Sequence, residues 1–149
     1  MSARLFFSLC VLTTLRTGVT LAQDAKKELD KLQGTWQVVE DAQGGRSVPP
    51  AKLKGLKFVF AGDKMRMVGP GWTTEYMVKL DPATDPKSID AQLGDARAGG
   101  ILLLGIFKLD KDRLTLALDM NAKKSARPAA FDAKRGSPVR KWVLEAEKR

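Results

Sequence analysis

Side chains that could act as nucleophiles are few in this chain. It contains no histidine, and its single cysteine, Cys10, lies in the apolar N-terminal segment. This composition excludes Cys-His and Ser-His nucleophile pairs and the commonest zinc ligands beyond residue 22. Four serines remain in that part of the chain, and none has a nucleophile-elbow sequence around it: Ser47, Ser88, Ser125 and Ser137.

Carboxylates are the remaining groups that could perform acid-base chemistry. A pair of them could hydrolyse a glycoside, but no spacing in the sequence fixes the several-ångström separation that such a pair needs. The segment Asp110-Lys111-Asp112 supplies too few oxygens for calcium and has the composition of a hairpin turn. We therefore expect a chain with no catalytic residue, no metal site and no cofactor; a carboxylate-based hydrolase is the alternative.

Apolar and polar residues alternate in short runs, the pattern of strands with one buried face. Tight-turn sequences such as Gly62-Asp63 and Lys111-Asp112 separate the runs, which favours antiparallel hairpins. The predicted strands cover residues 35–40, 56–61, 64–68, 73–80, 88–93, 101–109, 113–118 and 140–145. An antiparallel sheet with one apolar face can hide that face, and remove its edges, by closing on itself.

The sequence thus predicts an all-β fold, an eight-stranded antiparallel up-and-down β-barrel over residues 34–149. A two-sheet sandwich is the alternative. A short helix over residues 23–33 precedes the barrel, because Asp24 can cap its start and Leu29 and Leu32 share one face. Residues 48–55 are expected to form a helical turn or lid, and Asp119 to Val139 forms the longest irregular stretch.

The inward face of such a barrel is apolar, and a barrel of eight strands can be filled by side chains or hold one small ligand. The residues are large and the strands short, so a filled core is favoured, while the methionines suit an adaptable pocket equally well. The candidate ligand-binding residues of the interior are Phe58, Phe60, Met65, Met67, Tyr76, Val78, Phe107 and Leu116.

The N-terminus has the layout of a secretory signal. Arg4 is followed by an apolar run, which Arg16 ends after about eleven residues, too few to span a membrane. Small residues then lead to a predicted cleavage after Ala22, so we expect residues 1–22 to be removed and the protein to be periplasmic or extracellular. Removing Arg4 and Arg16 leaves 24 of the 26 basic residues against 17 acidic ones, a net charge of about +7.

Five motifs, in order, give the chain a resemblance to a known family. They are Leu32-x-Gly34-x-Trp36, Pro50-x-x-Leu53-Lys54-Gly55-Leu56-x-x-x-Phe60-x-Gly62-Asp63, Leu80-Asp81-Pro82-x-x-x-Pro86-Lys87-x-Ile89-Asp90, Leu104-Gly105-Ile106-Phe107-x-Leu109-Asp110-x-Asp112-x-Leu114 and Arg127-Pro128-x-x-Phe131. Together they span the chain from about Leu32 onward and resemble the planctomycetal lipocalin-like family of secreted domains.

The resemblance implies an exported up-and-down barrel similar to lipocalins, and no particular activity. It also implies structural roles at the closed end of the barrel. There Gly34 and Trp36 would form the Gly-x-Trp motif that plugs the barrel, and Arg140 on the last strand would pack over that tryptophan. Fold alone does not assign a function.

Basic residues cluster late in the chain, more densely than the resemblance leads us to expect. The candidate cations for an anionic partner are Lys123, Lys124, Arg127, Lys134, Arg135 and Lys141. They could meet an acidic envelope polymer or a membrane surface, or simply form a solvated surface. Nucleic acid is not expected as a partner, because export separates the protein from it and no stacking aromatics interleave with these lysines.

The sequence therefore predicts an exported, non-catalytic, lipocalin-like binding module. One hypothesis places a small apolar ligand inside the barrel. The alternative is a solid core whose basic surface binds an anionic envelope partner. The sequence does not determine the oligomeric state.

Overall fold

The computed structural model describes residues 17–148. Of the predicted export signal, residues 1–16 lie outside the described residues, and residues 17–22 form the start of a helix. The elements are α1 (Thr17–Leu32), β1 (Gly34–Gln43), β2 (Arg46–Ser47), β3 (Lys57–Ala61), β4 (Lys64–Gly69), β5 (Trp72–Asp81), β6 (Lys87–Leu93), β7 (Ile101–Asp110), β8 (Arg113–Asp119) and β9 (Val139–Ala146), with 3-10 turns at Pro50–Lys52 and Ala96–Ala98.

Eight of these strands form a closed antiparallel β-barrel. From β3 to β9 each strand pairs with the next in sequence, β1 pairs with β3, and β9 returns to pair with β1. The predicted eight-stranded antiparallel barrel with a short helix is therefore confirmed, and the two-sheet sandwich is not formed, because the pairing of β1 with β9 leaves no open edge between them.

Strand β2 is the element that the sequence analysis missed. It is a two-residue arm that pairs with the end of β1 through Ala42 opposite Ser47. Gly44 and Gly45 form the turn, both with positive φ, which glycine adopts without strain. A Gly-Gly pair is itself a hairpin signal, so this arm was visible in the sequence.

A β-bulge interrupts the pairing of β1 with β9. The register passes from Val38 opposite Leu144 to Glu40 opposite Val143, which leaves one extra residue on β1. Beyond the bulge, Asp41 lies opposite the inward-facing Trp142, so the strand turns a carboxylate toward the interior.

The barrel interior is filled with side chains. Phe58 and Trp142 meet edge to face, with ring centroids 5.4 Å apart. Gly105 shows how close the packing is. A Cβ atom added there would lie 2.3 Å from Cδ2 of Leu118 and 2.5 Å from the carbonyl oxygen of Ala117, so even one methyl group has no room at this position.

Helix α1 covers one end of the barrel, called here the helix end. Leu32 is fully buried, and its carbonyl oxygen accepts a hydrogen bond from Nε1 of Trp36 at 2.7 Å. The side-chain amide of Gln33 accepts from the backbone N–H of Gly62 at 2.7 Å and donates to its carbonyl oxygen at 2.9 Å. This pair of bonds fixes the end of the helix to the β3–β4 turn.

The long connection over residues 120–138 covers part of the outer barrel wall. Ile106, Ala117 and Val143 point outward by their register, yet they are buried. Ser125 holds the connection against this wall by accepting a hydrogen bond from the backbone N–H of Leu104 at 2.9 Å. A second, smaller apolar layer therefore lies outside the barrel.

Glu28 ties α1 to the barrel wall and gives the first prediction. Burial raises the pKa of its carboxyl, but hydrogen bonds and charges from Lys31 (2.7 Å) and Lys87 (2.9 Å) outweigh that effect and hold the pKa below its ordinary 4.5. We expect Glu28→Gln to lower the free energy of unfolding by about 1 kcal/mol at neutral pH.

The sign of the pH dependence follows from the lowered pKa. The contribution of Glu28 is present above the unfolded-state pKa and is lost as the pH falls through the folded-state value. Urea unfolding should show the stabilities of the two proteins converging as the pH falls below the ordinary pKa of 4.5. Asp30→Asn is the control, since Asp30 makes no ion pair within residues 17–148. A pH-independent difference would contradict this account.

Candidate functional site

The structure places all eight candidate interior residues in the hydrophobic core, where each is buried. Burial raises the pKa of the Tyr76 phenol above its ordinary 10.0, so this residue stays neutral inside the barrel. The surface has cavities of about 570, 300, 300 and 250 Å³, the largest between α1 and the β5–β6 connection. Phe107 lines one of the two 300 Å³ cavities with Phe131, and the other seven interior residues line none of the four.

One polar atom of the interior lacks a partner. Among the described residues, Nε1 of Trp142 is the one buried side-chain nitrogen or oxygen without a hydrogen bond. Unpaired buried donors are uncommon in native proteins and call for an explanation. This indole N–H is therefore the one feature of the interior that favours an additional bound group with an acceptor atom.

The three predicted barrel-end residues are not brought together. Gly34 and Trp36 lie at the helix end, where Trp36 lies opposite Ala146 on β9. Arg140 lies opposite Gln43, at the other end of the same two strands. The predicted packing of Arg140 over Trp36 is therefore wrong, and its guanidinium lies over Trp142 instead, 5.1 Å from the ring centroid.

The bulge in β1 explains where Arg140 goes. It turns Asp41 inward, and Arg140 binds this carboxylate through two hydrogen bonds, from Nε at 2.8 Å and from the terminal nitrogen at 2.5 Å. Asp41 is 1 % exposed, so the arginine neutralises a charge that has left water. Nothing in the local sequence of β1 shows that the partner of Asp41 lies 99 residues away.

The charges of the connecting segments differ between the two ends of the barrel. The end opposite the helix, called here the loop end, carries β2 and the connections that leave β1, β4, β6 and β8. In these segments nine basic residues face two acidic ones: Arg46, Lys52, Lys54, Arg97, Lys123, Lys124, Arg127, Lys134 and Arg135 against Asp95 and Asp132.

The connections at the helix end have the opposite balance. Within the described residues they carry two basic and four acidic side chains: Lys111 and Lys148 against Asp63, Asp85, Asp112 and Glu147. Among the connections, positive charge therefore accumulates at one end of the barrel.

Backbone hydrogen bonds bring distant basic segments together at the loop end. The N–H of Gly45 donates to the carbonyl oxygen of Ala133 at 2.5 Å, which places Arg46 beside the segment that carries Lys134 and Arg135. The N–H of Met120 donates to the carbonyl oxygen of Pro138 at 3.0 Å, which brings in the segment of Lys123 and Lys124. Arg46 was not among the predicted cations, because it lies far from them in the chain.

The predicted cations are not equivalent. Lys123, Lys124 and Arg135 are exposed and Lys141 is half-buried; none of the four makes an ion pair within the part of the chain that the structure describes. Lys134 approaches the exposed Asp132 at 3.4 Å, a weak surface pair.

Arg127 differs from the other predicted surface cations, because its guanidinium is engaged within the protein. It donates to the carbonyl oxygens of Gly105 at 2.7 Å and Ile89 at 3.3 Å, and to Oδ1 of Asp90 at 2.6 Å. These contacts join the long connection to β6 and β7. Arg127 is therefore a structural residue of the loop rather than a free cation for a partner.

Two carboxylates near each other, Asp81 and Asp90, are both engaged within the protein. Asp81 and Asp90 line the same 250 Å³ cavity with Ser88 and Arg127, but Asp90 is paired with Arg127. Oδ1 of Asp81 accepts the N–H of Ala83 at 3.0 Å within a turn. Among the described residues there is also no group of three or more acidic, histidine or cysteine side chains that could hold a metal ion.

Comparisons with known proteins leave the family open. A scan against models of protein families, a search of curated proteins and a search of solved structures each found no match. The class that the fold defines is a closed antiparallel β-barrel, and the resemblance to planctomycetal lipocalin-like domains stays a prediction. Within residues 17–148, no helix has the length and apolar character that crossing a membrane requires.

The contacts of Arg127 generate the second prediction. Arg127→Met keeps a long side chain but removes three hydrogen bonds, one of them to a carboxylate, so residues 120–131 should separate more often from the barrel wall. Hydrogen exchange followed by mass spectrometry should show protection in this segment falling roughly tenfold or more.

Lys123→Met is the matched control for this measurement. It removes a cation from the same connection, but one whose side chain makes no ion pair within the described residues. Exchange in the control should equal that of the unmodified protein. Equal protection in Arg127→Met and in the unmodified protein would show that these bonds do not hold the loop.

Proposed function

We propose that this chain is an exported, non-catalytic binding module that uses the loop end of a filled barrel to bind an anionic envelope partner. The observation that carries the proposal is the excess of basic side chains in the connections at that end: without Arg127, which is paired with Asp90, eight basic residues remain against two acidic ones. The helix end, with its acidic excess, would face away from the partner.

The arrangement of the cations supports this proposal. Lys123, Lys124 and Arg135 lie on two segments that backbone hydrogen bonds hold next to each other, so their charges act from a defined surface. Because they are exposed and not neutralised by ion pairs within the described chain, they remain available to an external anion. Clustered charges of one sign raise both the rate and the strength of binding to a polyanion.

The packing of the interior weighs against the other mode, a small apolar ligand inside the barrel. The inward side chains are buried, and Gly105 lacks space even for a methyl group. The specific observation that favours this second candidate is that Nε1 of Trp142 is buried without a hydrogen bond among the described residues. Native mass spectrometry of the exported protein tests it: a bound mass of a few hundred daltons would support an internal ligand, and a bare mass would remove it.

The third prediction tests the loop end with two matched lysine pairs. Lys123→Glu/Lys124→Glu should weaken binding to a soluble polyanion such as heparin by about thirtyfold or more, since each cation near an anionic surface contributes about 1 kcal/mol. Lys26→Glu/Lys27→Glu on α1 makes the same change in net charge at the helix end, and its effect should be small.

The measurement is an affinity titration at several salt concentrations. Binding of the unmodified protein should weaken steeply as salt rises, because exposed charges are screened over about 8 to 10 Å at physiological ionic strength. Equal losses in the two double variants would show that net charge, rather than the loop end, determines binding. No binding to the polyanion at low salt would remove the proposal.

A further inference from the structure

We infer that the anionic partner is a lipid bilayer surface, which the protein meets with its loop end and with the indole of Trp72. This inference rests on the proposed function and narrows its partner from any envelope anion to a membrane of anionic lipids. It depends on an exposed aromatic side chain that binding to a soluble polyanion would not require.

Trp72 occupies an unusual position among the tryptophans. It is the first residue of β5, directly after the Pro70–Gly71 turn at the loop end, and it is 45 % exposed, whereas Trp36 and Trp142 are buried. An exposed indole is unfavourable in water, but its apolar rings and polar N–H suit the interface between lipid and water. Trp72 is therefore the side chain of the loop end best suited to enter a bilayer surface.

The indole of Trp72 packs against its neighbour on β4. Gly69 pairs with Trp72, and a Cβ atom at position 69 would lie 2.2 to 2.4 Å from the indole atoms Cε2, Cζ2 and Nε1. The ring thus lies against the bare backbone of a glycine. This contact restricts the rotamers open to the indole, which reduces the conformational entropy that it loses on entering an interface.

The connection that precedes β3 carries Lys52 and Lys54 and approaches the turn before this tryptophan. Gly55 lies next to Pro70 of this turn: a Cβ atom added to Gly55 would be 3.7 Å from Cγ of Pro70. Leu53 and Leu56 are buried in the core and anchor the segment, which leaves Lys52 and Lys54 exposed on its outer side. Lysines beside a tryptophan combine attraction to lipid phosphates with an interfacial anchor.

A second exposed apolar side chain lies at the same end. It is Pro70, in the β4–β5 turn directly before Gly71 and Trp72. A surface built only for a soluble polyanion gains nothing from exposing such groups to water. A bilayer binds the cations through its headgroups and the apolar groups through its upper acyl region, so it accounts for both features.

The experiment uses the full chain and vesicles of equal parts phosphatidylglycerol and phosphatidylcholine, with tryptophan fluorescence as the readout. Because Trp36 and Trp142 are already buried, a shift to shorter wavelength on adding vesicles reports Trp72. We expect this shift at low salt and its loss at high salt. Trp72→Ala should abolish the shift and weaken vesicle binding in a sedimentation assay by about tenfold or more.

Met77→Ala is the matched control, since Met77 is exposed to nearly the same extent, 44 %, but lies five residues further along β5 than Trp72, opposite Lys64 of β4. It should leave vesicle binding unchanged, and both variants should keep the melting temperature of the unmodified protein. Trp72→Ala should also leave heparin binding unchanged, because it removes no charge.

The outcomes separate this inference from the proposed function. Heparin binding without vesicle binding, or vesicle binding without a Trp72-dependent shift, would overturn the lipid surface as the partner and leave an anionic polymer. Binding to neither heparin nor vesicles would overturn both proposals. Equal loss of vesicle binding in Trp72→Ala and Met77→Ala would show that general surface apolarity, not the Trp72 site, drives the association.

Discussion

The pairing of β1 with β9 is the constraint on which the rest of the structure depends. These two strands begin and end the sheet, and without their pairing both edges and the apolar inner face would remain open to water. Closure buries Phe58 against Trp142 and leaves the connections as the variable parts of the surface. The chain has no internal disulfide to assist this closure, since its single cysteine is Cys10. Side-chain packing and strand pairing must therefore hold β1 against β9.

The pairing of β1 with β9 also determines what each end of the barrel contains. At the helix end, Trp36 is capped by the carbonyl oxygen of Leu32, and α1 covers the core. Toward the loop end, the bulge in β1 allows Arg140 to neutralise Asp41 beneath the ring of Trp142. Helix α1 therefore covers the helix end, whereas the Asp41–Arg140 pair lies toward the loop end. Only the loop end carries an excess of basic connections.

The sequence predicted the barrel because its signals were local. Alternating residues and turn dipeptides located all eight barrel strands, and the inward direction of the alternation matched the core. The bulge was not predictable, because one inserted residue leaves the alternation of β1 ambiguous until its partner is known. The contacts of Arg127 and Arg140 were missed for a related reason: their acceptors, Asp90 and Asp41, are distant in the chain, so the sequence shows neither pair.

The opposite charge balance of the two ends gives the molecule a dipole moment along the barrel axis. Near any negatively charged surface this dipole experiences a torque, which rotates the loop end toward the surface before contact is made. The rotation acts within roughly one screening length, about 8 Å at physiological ionic strength. A larger share of diffusional encounters would then begin with Lys123, Lys124 and Arg135 in front, so the charge distribution sets the geometry of approach as well as the strength of attachment.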